Sequence, residues 1–446
     1  MTTPIRARRI VFVAPFAEAP KATTSARIIP LARAVARRGH DVTVLIPPYD
    51  NPTEGGRERV DGGVRVHTLR VPGEIAESSP LQTIAQPLLA ARVVRASLAL
   101  RPDVVHLSKP KAVTGLAHAI LAGIRRLRGK AGPAIVVDTD DWEGDGGWND
   151  YEAYPVWQRG AVNAQEWWGI GAADAVTVAS RTLEAQAWSR GQPPSRTWYV
   201  PNGLDDADYP GWWTPGVAEV PSPEARASVR ARFAVGDGPI ILLYTRFFEF
   251  DPRRALATIQ AIRNRVSGAT LFVVGAGKFG QERTLAALAA ASGDARAITL
   301  AGWQAPSALP GMLRGADVAI ALADDNLANR AKCSVKLLQL MRLGVPVVAD
   351  ATGEQIGYLE TTDTPSTHAP PGLLVPAGDV SAMADRVASL LHNPPRRVEI
   401  GHAAAARARD RFGWDALAPG VIAAHDAALA RRRDTNRSGP PVRSPR

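Results

Sequence analysis

Short apolar runs alternate with amphipathic stretches along nearly the whole chain. Ile10–Ala14, Val42–Ile46, Val104–Leu107, Ile135–Asp138, Ala175–Ala179 and Trp198–Val200 read as buried strands, because apolar residues run through them with little polar alternation. Ile28–Arg38, Leu81–Leu100 and Val113–Leu127 carry helical spacing between them. The pattern then restarts, with strands expected at Ile240–Tyr244, Thr270–Val274, Ile298–Leu300, Val318–Ala321, Val345–Ala349 and Leu373–Val375. Repeated strand–helix alternation predicts parallel sheets covered by helices on both faces. Two such series predict two doubly wound domains. The join is expected at Pro201-Asn202-Gly203, and Pro/Gly-rich sequence continues to Pro223. Ligands bind such sheets beyond the carboxyl ends of the strands. The pattern alone therefore predicts a two-domain α/β protein with a ligand between its halves.

The segment Ser334–Asp379 is the most detailed. Ser334 suits a helix N-cap, and Leu337, Leu338, Leu340, Met341 and Leu343 give the helix an apolar face. Gly344 fits its C-terminus, with Pro346 two residues on. A helix N-terminus exposes backbone N–H groups and the positive end of the macrodipole, so this one can hold a phosphate.

Composition narrows the class. At 446 residues two domains are favoured over one, and no apolar run reaches the roughly 20 residues needed to span a bilayer. The N-terminal apolar run ends in Pro15 and reads as a first strand rather than a signal peptide. The single cysteine, Cys333, excludes an intrachain disulfide and favours a reducing, cytoplasmic setting. The formal charge of +10 is uneven, since 431–446 holds six Arg and one Asp. That tail has little to bury and reads as a disordered, solvated segment or one drawn to anionic lipid. No nucleic-acid motif accompanies the charge.

The order of short motifs resembles the retaining GT-B glycosyltransferases of family 4, glycosyl transferases group 1. Leu31-Ala32-Arg33-Ala34 through Arg38-Gly39-His40-Asp41-Val42-Thr43-Val44 is similar to that family's first helix and second strand. Val200-Pro201-Asn202-Gly203-Leu204-Asp205 resembles the step into its second domain, and Tyr244-Thr245-Arg246, Val273-Val274-Gly275-Ala276-Gly277 and Ala316-Asp317-Val318 resemble later strand ends. The Ser334–Asp379 segment resembles its nucleotide-binding helix. The similarity runs from about residue 5 to 425. It implies two Rossmann-like domains with an interdomain cleft: an acceptor-side domain over 1–200, a nucleotide-sugar domain over 201–400, a helix crossing back over 401–430, and the tail over 431–446. It implies retaining transfer of a sugar from a nucleotide-diphosphate donor to a sugar or lipid-linked acceptor hydroxyl, in glycan, glycolipid or glycoconjugate synthesis. The expected setting is cytoplasmic or peripheral at the inner face of an anionic membrane. The alternative is a non-catalytic GT-B scaffold or sugar-nucleotide-binding protein.

The resemblance assigns Arg246 to the leaving-group charge, where a guanidinium can fork onto phosphate. The family's following Lys is replaced near Pro252, with Arg253 or Arg254 as substitutes. Gly275, Trp303, Cys333, Ser334, Lys336 and Gln339 complete the expected donor site. The family's two glutamates eight apart fall at Ala331 and Gln339. Gln339 can hydrogen-bond ribose but carries no charge. With Arg, Lys and a helix N-terminus to meet the diphosphate, no metal or cofactor is required.

The acidic stretch Asp138–Glu152 follows an apolar strand. Asp138 and Asp140 are candidate catalytic groups, and Asp141 and Trp142 candidate acceptor contacts. Three readings stand open: orientation of sugar or acceptor hydroxyls, a solvated turn, or a divalent-cation site, since Asp141–Glu152 nearly matches a calcium loop. Nine of the eleven tryptophans lie between Trp142 and Trp213, as core, stacking platform or interfacial patch. The loop 14–25 lacks the family's Gly pair, leaving Lys21, Thr23, Thr24 and Ser25 as candidate contacts. Gly275–Gly280 is a full GxGxxG, but the acid a dinucleotide site needs on the next strand is missing, Asp294 lying in a loop before it.

Overall fold

The computed structural model describes residues 7–71, 82–127, 132–213, 220–360 and 369–437. The first unit contains β1 (Arg9–Val13), β2 (Asp41–Ile46), β3 (Glu58–Asp61), β4 (Val64–Thr68), β5 (Val104–Ser108), β6 (Ala134–Thr139), β7 (Ala175–Val178) and β8 (Thr197–Tyr199). They form one sheet in the order β3-β4-β2-β1-β5-β6-β7-β8. All neighbours are parallel except β3 and β4. The apolar strands β1, β2, β5, β6 and β7 are buried almost throughout, as continuous apolar runs in parallel sheets must be. The β3–β4 hairpin escapes the sequence reading because β3 is largely polar and exposed at the sheet edge and β4 buries only alternate residues. Gly62 and Gly63 turn it, with φ of 54° and 84°, the left-handed pair a tight hairpin requires.

The second unit contains β9 (Ile240–Tyr244), β10 (Thr270–Val274), β11 (Ile298–Gly302), β12 (Val318–Ala321), β13 (Val347–Asp350) and β14 (Leu373–Val375). Its order is β11-β10-β9-β12-β13-β14, all parallel. The first strand, β9, is central, and the chain winds away from it in both directions. The carboxyl end of β9 is thus a topological switch point, where such sheets leave a crevice.

The first unit comprises 1–203, 331–333 and 414–446, and the second 204–330 and 334–413. The segment 401–430, expected as one crossing helix, is divided at Gly413. Helix Pro394–Phe412 lies in the second unit and helix Trp414–Arg437 in the first. The latter buries Trp414, Ala418, Val421, Ala424 and Ala428 in one core with Ile10, Phe12, Val44 and Val136. The helix also passes the expected start of the tail. Arg431 finds partners there, donating to the Ala173 carbonyl and lying 3.7 Å from Asp174. Residues 438–446 of the expected tail lie outside the described residues.

One buried contact ties this last helix to the sheet. His425 Nε2 lies 2.9 Å from His106 Nδ1 on β5, both side chains fully buried, with Phe12 stacked on His106. Burial pushes both imidazoles below their ordinary range, His106 to about 4. Among the described residues no helix is long and apolar enough to cross a membrane.

Candidate active site

In the second unit the turn after β9 is held by its own side chains. Thr245 Oγ1 accepts from the Phe247 N–H at 2.7 Å and donates to Glu249 Oε2 at 3.2 Å. Phe247 adopts φ 64°, a left-handed conformation uncommon for a bulky residue. Gly275, at the end of β10, has φ 121°, and a Cβ there would stand 1.9 Å from the Thr245 carbonyl oxygen. Only glycine lets the two strand ends approach so closely. This backbone contact sets Arg246, exposed, above the Phe248 ring at 5.6 Å.

The helix Val335–Arg342 begins as its sequence implies. Ser334 Oγ accepts from the Leu337 N–H, and Leu337, Leu338, Leu340 and Met341 are buried. Its end closes in a Schellman pattern, Val345 N–H to Leu340 O and Gly344 N–H to Met341 O, with Gly344 at φ 74°. Lys336 Nζ stands 5.3 Å from the Tyr244 ring centroid. Tyr244 is pushed up by burial, and the nearby Arg246 charge acts against that rise. Lys336 thus reaches the carboxyl end of β9, where Arg246 follows Tyr244 by two residues. Gln339 is buried, its amide hydrogen-bonded to Tyr209, whose phenol burial pushes to about 12. Among the described residues its Oε1 has no partner.

Other expected donor residues sit elsewhere. Arg253 points to solvent, its side chain 76% exposed and paired with Asp251, because Asp251 caps its helix and draws it outward. Arg254 is drawn inward to Asp324 and Asp350 as an internal ion pair. Neither is a replacement for the family's lysine in this geometry. Cys333 is buried in the first unit, its Sγ accepting from the Asn202 N–H at 3.0 Å, so its thiol is not displayed to a ligand. Trp303 follows β11 with most of its surface exposed. Ala331 is fully buried, so no side chain reaches out where the family's first glutamate stands.

In the first unit the acidic stretch resolves into separate roles. Asp138 is fully buried and receives Arg27 at both oxygens, Nε at 2.9 Å and NH2 at 2.7 Å, plus Thr177 Oγ1 at 2.7 Å. Arg27 spends its other donors on Asn202 Oδ1 and the carbonyls of Val200 and Pro201. Burial would raise the Asp138 carboxyl, but Arg27 outweighs it and holds it low. Asp138 is therefore a structural anchor and not the catalytic group expected from its place after β6.

The remaining acids surround Lys109. Its Nζ lies 3.0 Å from Asp140, 2.5 Å from Asp141 and 2.7 Å from Glu143, and Lys111 holds the other Glu143 oxygen. Burial raises Asp140 to about 6, although Lys109 opposes the rise. For Glu143 burial is outweighed by Lys109 and Lys111, which hold it down to about 2. Asp140 is thus raised where Glu143 is lowered. The calcium-loop reading fails on the same contacts. Asp141 and Glu143 are neutralised by lysines, and Asp145 and Asp150 by Arg159. Among the described residues no group of three His, Cys, Asp or Glu is placed to hold a metal ion.

The loop 14–25 is built without glycine. Asp50 and Glu54 accept from the N–H groups of Ala17, Glu18 and Ala19. Thr24 is buried with its hydroxyl spent on the Phe16 carbonyl, which removes it from the expected acceptor contacts. Lys21 remains partly exposed, over the Phe16 ring and 3.7 Å from Asp50. Trp142 donates its indole N–H to the Asp145 carbonyl, and the Arg190 guanidinium stands 5.6 Å from its ring centroid.

Sequence reading missed Lys109, Lys111, Tyr209 and Tyr244. Two lysines flanking Pro110 directly after a buried strand were a usable signal for the acids' counter-ions. The tyrosines carried none, since a strand-end Tyr reads as ordinary packing.

Comparison with known proteins agrees with this geometry. The description "Glycosyl transferase 4-like domain" matches residues 24–203, and "Glycosyl transferases group 1" matches 238–393. A GDP-mannose-dependent alpha-(1-6)-phosphatidylinositol monomannoside mannosyltransferase of Mycobacterium tuberculosis is 31% identical over 248 residues, 55% of this chain and 60% of that protein. The Mycolicibacterium smegmatis counterpart is 29% identical over 251 residues, so the chain matches about 59% of its length. Among solved structures, the catalytic domain of Arabidopsis thaliana starch synthase IV bound to ADP and acarbose superposes with TM-score 0.69 at 13% identity, covering 95% of this chain and 99% of that one. Anabaena HepE in complex with UDP and glucose gives 0.65 at 16%, covering 93% and 98%. Sucrose-phosphate synthase from Thermosynechococcus elongatus gives 0.64 at 20%, covering 97% and 100%. The two successive family matches, on two parallel-sheet units of the GT-B type, mean that this chain belongs to the group 1, family 4-like glycosyltransferases.

Proposed function

We propose that the protein transfers a sugar from a nucleotide-diphosphate sugar to an acceptor hydroxyl with retention of configuration. The placing of Lys336 beside Tyr244 at the β9 switch point, two residues before Arg246, supports this most directly. Two cations beside a capped helix N-terminus form a site for a departing diphosphate, whose growing charge they stabilise as the glycosidic bond breaks. Gln339, with a free acceptor oxygen beside Tyr209, suits a donor hydroxyl such as ribose. Asp140, titrating near 6, suits an acceptor hydroxyl whose proton must be held.

GDP-mannose is the first donor to test and a mannosylated inositol lipid the first acceptor, because the curated relatives are named for both. A lipid acceptor would bring the enzyme to a membrane surface as a peripheral protein. Thermal shift against GDP-mannose, UDP-glucose and ADP-glucose tests the donor. A ligand at about 100 times its Kd adds roughly 2.7 kcal/mol, a readily measured rise in Tm. The anomeric configuration of the product, read by NMR, tests retention. No shift with any nucleotide sugar, and no hydrolysis of them, would leave the scaffold reading in possession, with buried Ala331 as its structural basis.

A further inference from the structure

What Gln339 presents to a ligand depends on which way its amide points. A carboxylate in its place would offer an acceptor on both oxygens, whereas an amide carries one acceptor and one donor. Gln339 sits one turn after Lys336 on the same face of the helix Val335–Arg342, and it is buried. Its side chain is hydrogen-bonded to the Tyr209 phenol, while Oε1 has no partner among the described residues. The bond is therefore made by the amide N–H, with the phenol oxygen accepting. The two ends of an amide are nearly equal in size, so nothing steric keeps an untethered glutamine from turning over and presenting N–H groups where its oxygen stood. The bond to Tyr209 ties the amide nitrogen down and leaves the oxygen as the free end.

Tyr209 is itself held in place by its neighbours in the second unit. Its ring packs against Trp212 and Trp213, with centroids 5.1 Å and 5.5 Å away, and those two indoles pack on each other at 5.6 Å. Trp212 is buried. Arg342, in the last turn of the helix that carries Gln339, stands 4.9 Å from the Trp213 centroid and pairs with Asp206 at 2.9 Å. The stretch Asp206–Trp213 is thus clamped along the same helix, and the phenol has little freedom to leave the amide. We propose that Tyr209 is a positioning residue, which holds the Gln339 amide with its oxygen free to accept from a donor ribose hydroxyl. This rests on the reading of Gln339 as a ribose contact. It explains how an uncharged side chain serves where the family carries glutamate: a carboxylate needs no partner to choose its acceptor face, and a glutamine does.

The test is calorimetric titration of the full chain with GDP, UDP and their 2′,3′-dideoxy counterparts. Wild type should bind GDP or UDP about fivefold or more tightly than the matching dideoxy nucleotide, the scale of one hydrogen bond. Tyr209→Phe keeps the ring and its packing and removes only the hydroxyl. It should bring that ratio close to one by weakening the ribonucleotide, while dideoxy affinity stays within about twofold of wild type and so reports an intact site. Adding Gln339→Glu to Tyr209→Phe should restore the ratio, since either carboxylate oxygen can accept. A ratio that Tyr209→Phe leaves unchanged, or that Gln339→Glu fails to restore, overturns the role of Tyr209 while the ribose contact stands. A wild-type ratio close to one, or no binding of GDP or UDP, removes the ribose contact itself and the proposal with it.

Discussion

Arg27→Met should destabilise the first unit by about 3–5 kcal/mol, the usual effect of removing one partner from a buried ion pair. The wild-type guanidinium, 1% exposed, makes five hydrogen bonds, two to Asp138 and three to the chain at Val200, Pro201 and Asn202. Methionine fills similar volume, so packing changes little. What remains is a carboxylate buried with only Thr177 to serve it. Burial then acts alone, and the folded pKa of Asp138 rises above its unfolded value. A folded pKa raised in this way favours the native state at low pH and is lost as pH rises, so the penalty should shrink between about pH 7 and pH 5. Urea unfolding followed by tryptophan fluorescence, with wild type beside the variant at each pH, reads this directly. The double variant Arg27→Met/Asp138→Leu should recover most of the loss, because it leaves no unpaired charge. A penalty below about 1 kcal/mol, or one identical at both pH values, would show that Asp138 is solvated and that the anchor described here does not exist.

Arg246→Ala should lower turnover by about 10²–10³ while leaving Tm unchanged, and a variant within threefold of wild type would remove Arg246 from the site. The His106–His425 contact should make the first unit acid-sensitive. With the folded pKa of His106 depressed to about 4, its contribution is complete above the unfolded value near 6.5 and is lost as pH falls from there toward 4, roughly 3 kcal/mol in all. His106→Leu should flatten that limb of the urea-midpoint profile, and an unchanged slope would refute the assignment. Gly275→Ala should weaken nucleotide binding more than global stability, since its Cβ would drive the β10 end off the Thr245 carbonyl. Equal affinity for GDP in the variant, measured by calorimetry, would show that the close approach is dispensable.

The sequence is legible where a residue's role is local. Ser334, Gly344 and the leucines between them predict a helix, its cap and its buried face, because capping and amphipathicity act within a few residues. The strands are legible because burial on both faces leaves one continuous signature. The acidic stretch is not legible by that route. Four acids in six residues look like a ligand set until Lys109 and Lys111 arrive from about thirty positions upstream. Asp138 looks catalytic until Arg27 is seen to come from the first helical turns. Arg253 and Arg254 are adjacent in sequence, yet one lies outside and the other inside, and the difference is set by Asp251, Asp324 and Asp350.

The helix Trp414–Arg437 also governs the order in which the protein can be finished. The sheet of the first unit is synthesised by Gly203, but the helix that seals one of its faces begins roughly 210 residues later. At about 5–20 residues per second, the ribosome leaves that face open for on the order of 10–40 s. Phe12, Val44 and Val136 wait through this interval with part of their cover missing, while every strand of the second unit emerges. The first half to be made is therefore the last to be completed, and the nascent chain is at greatest risk of aggregation just before the helix Trp414–Arg437 emerges.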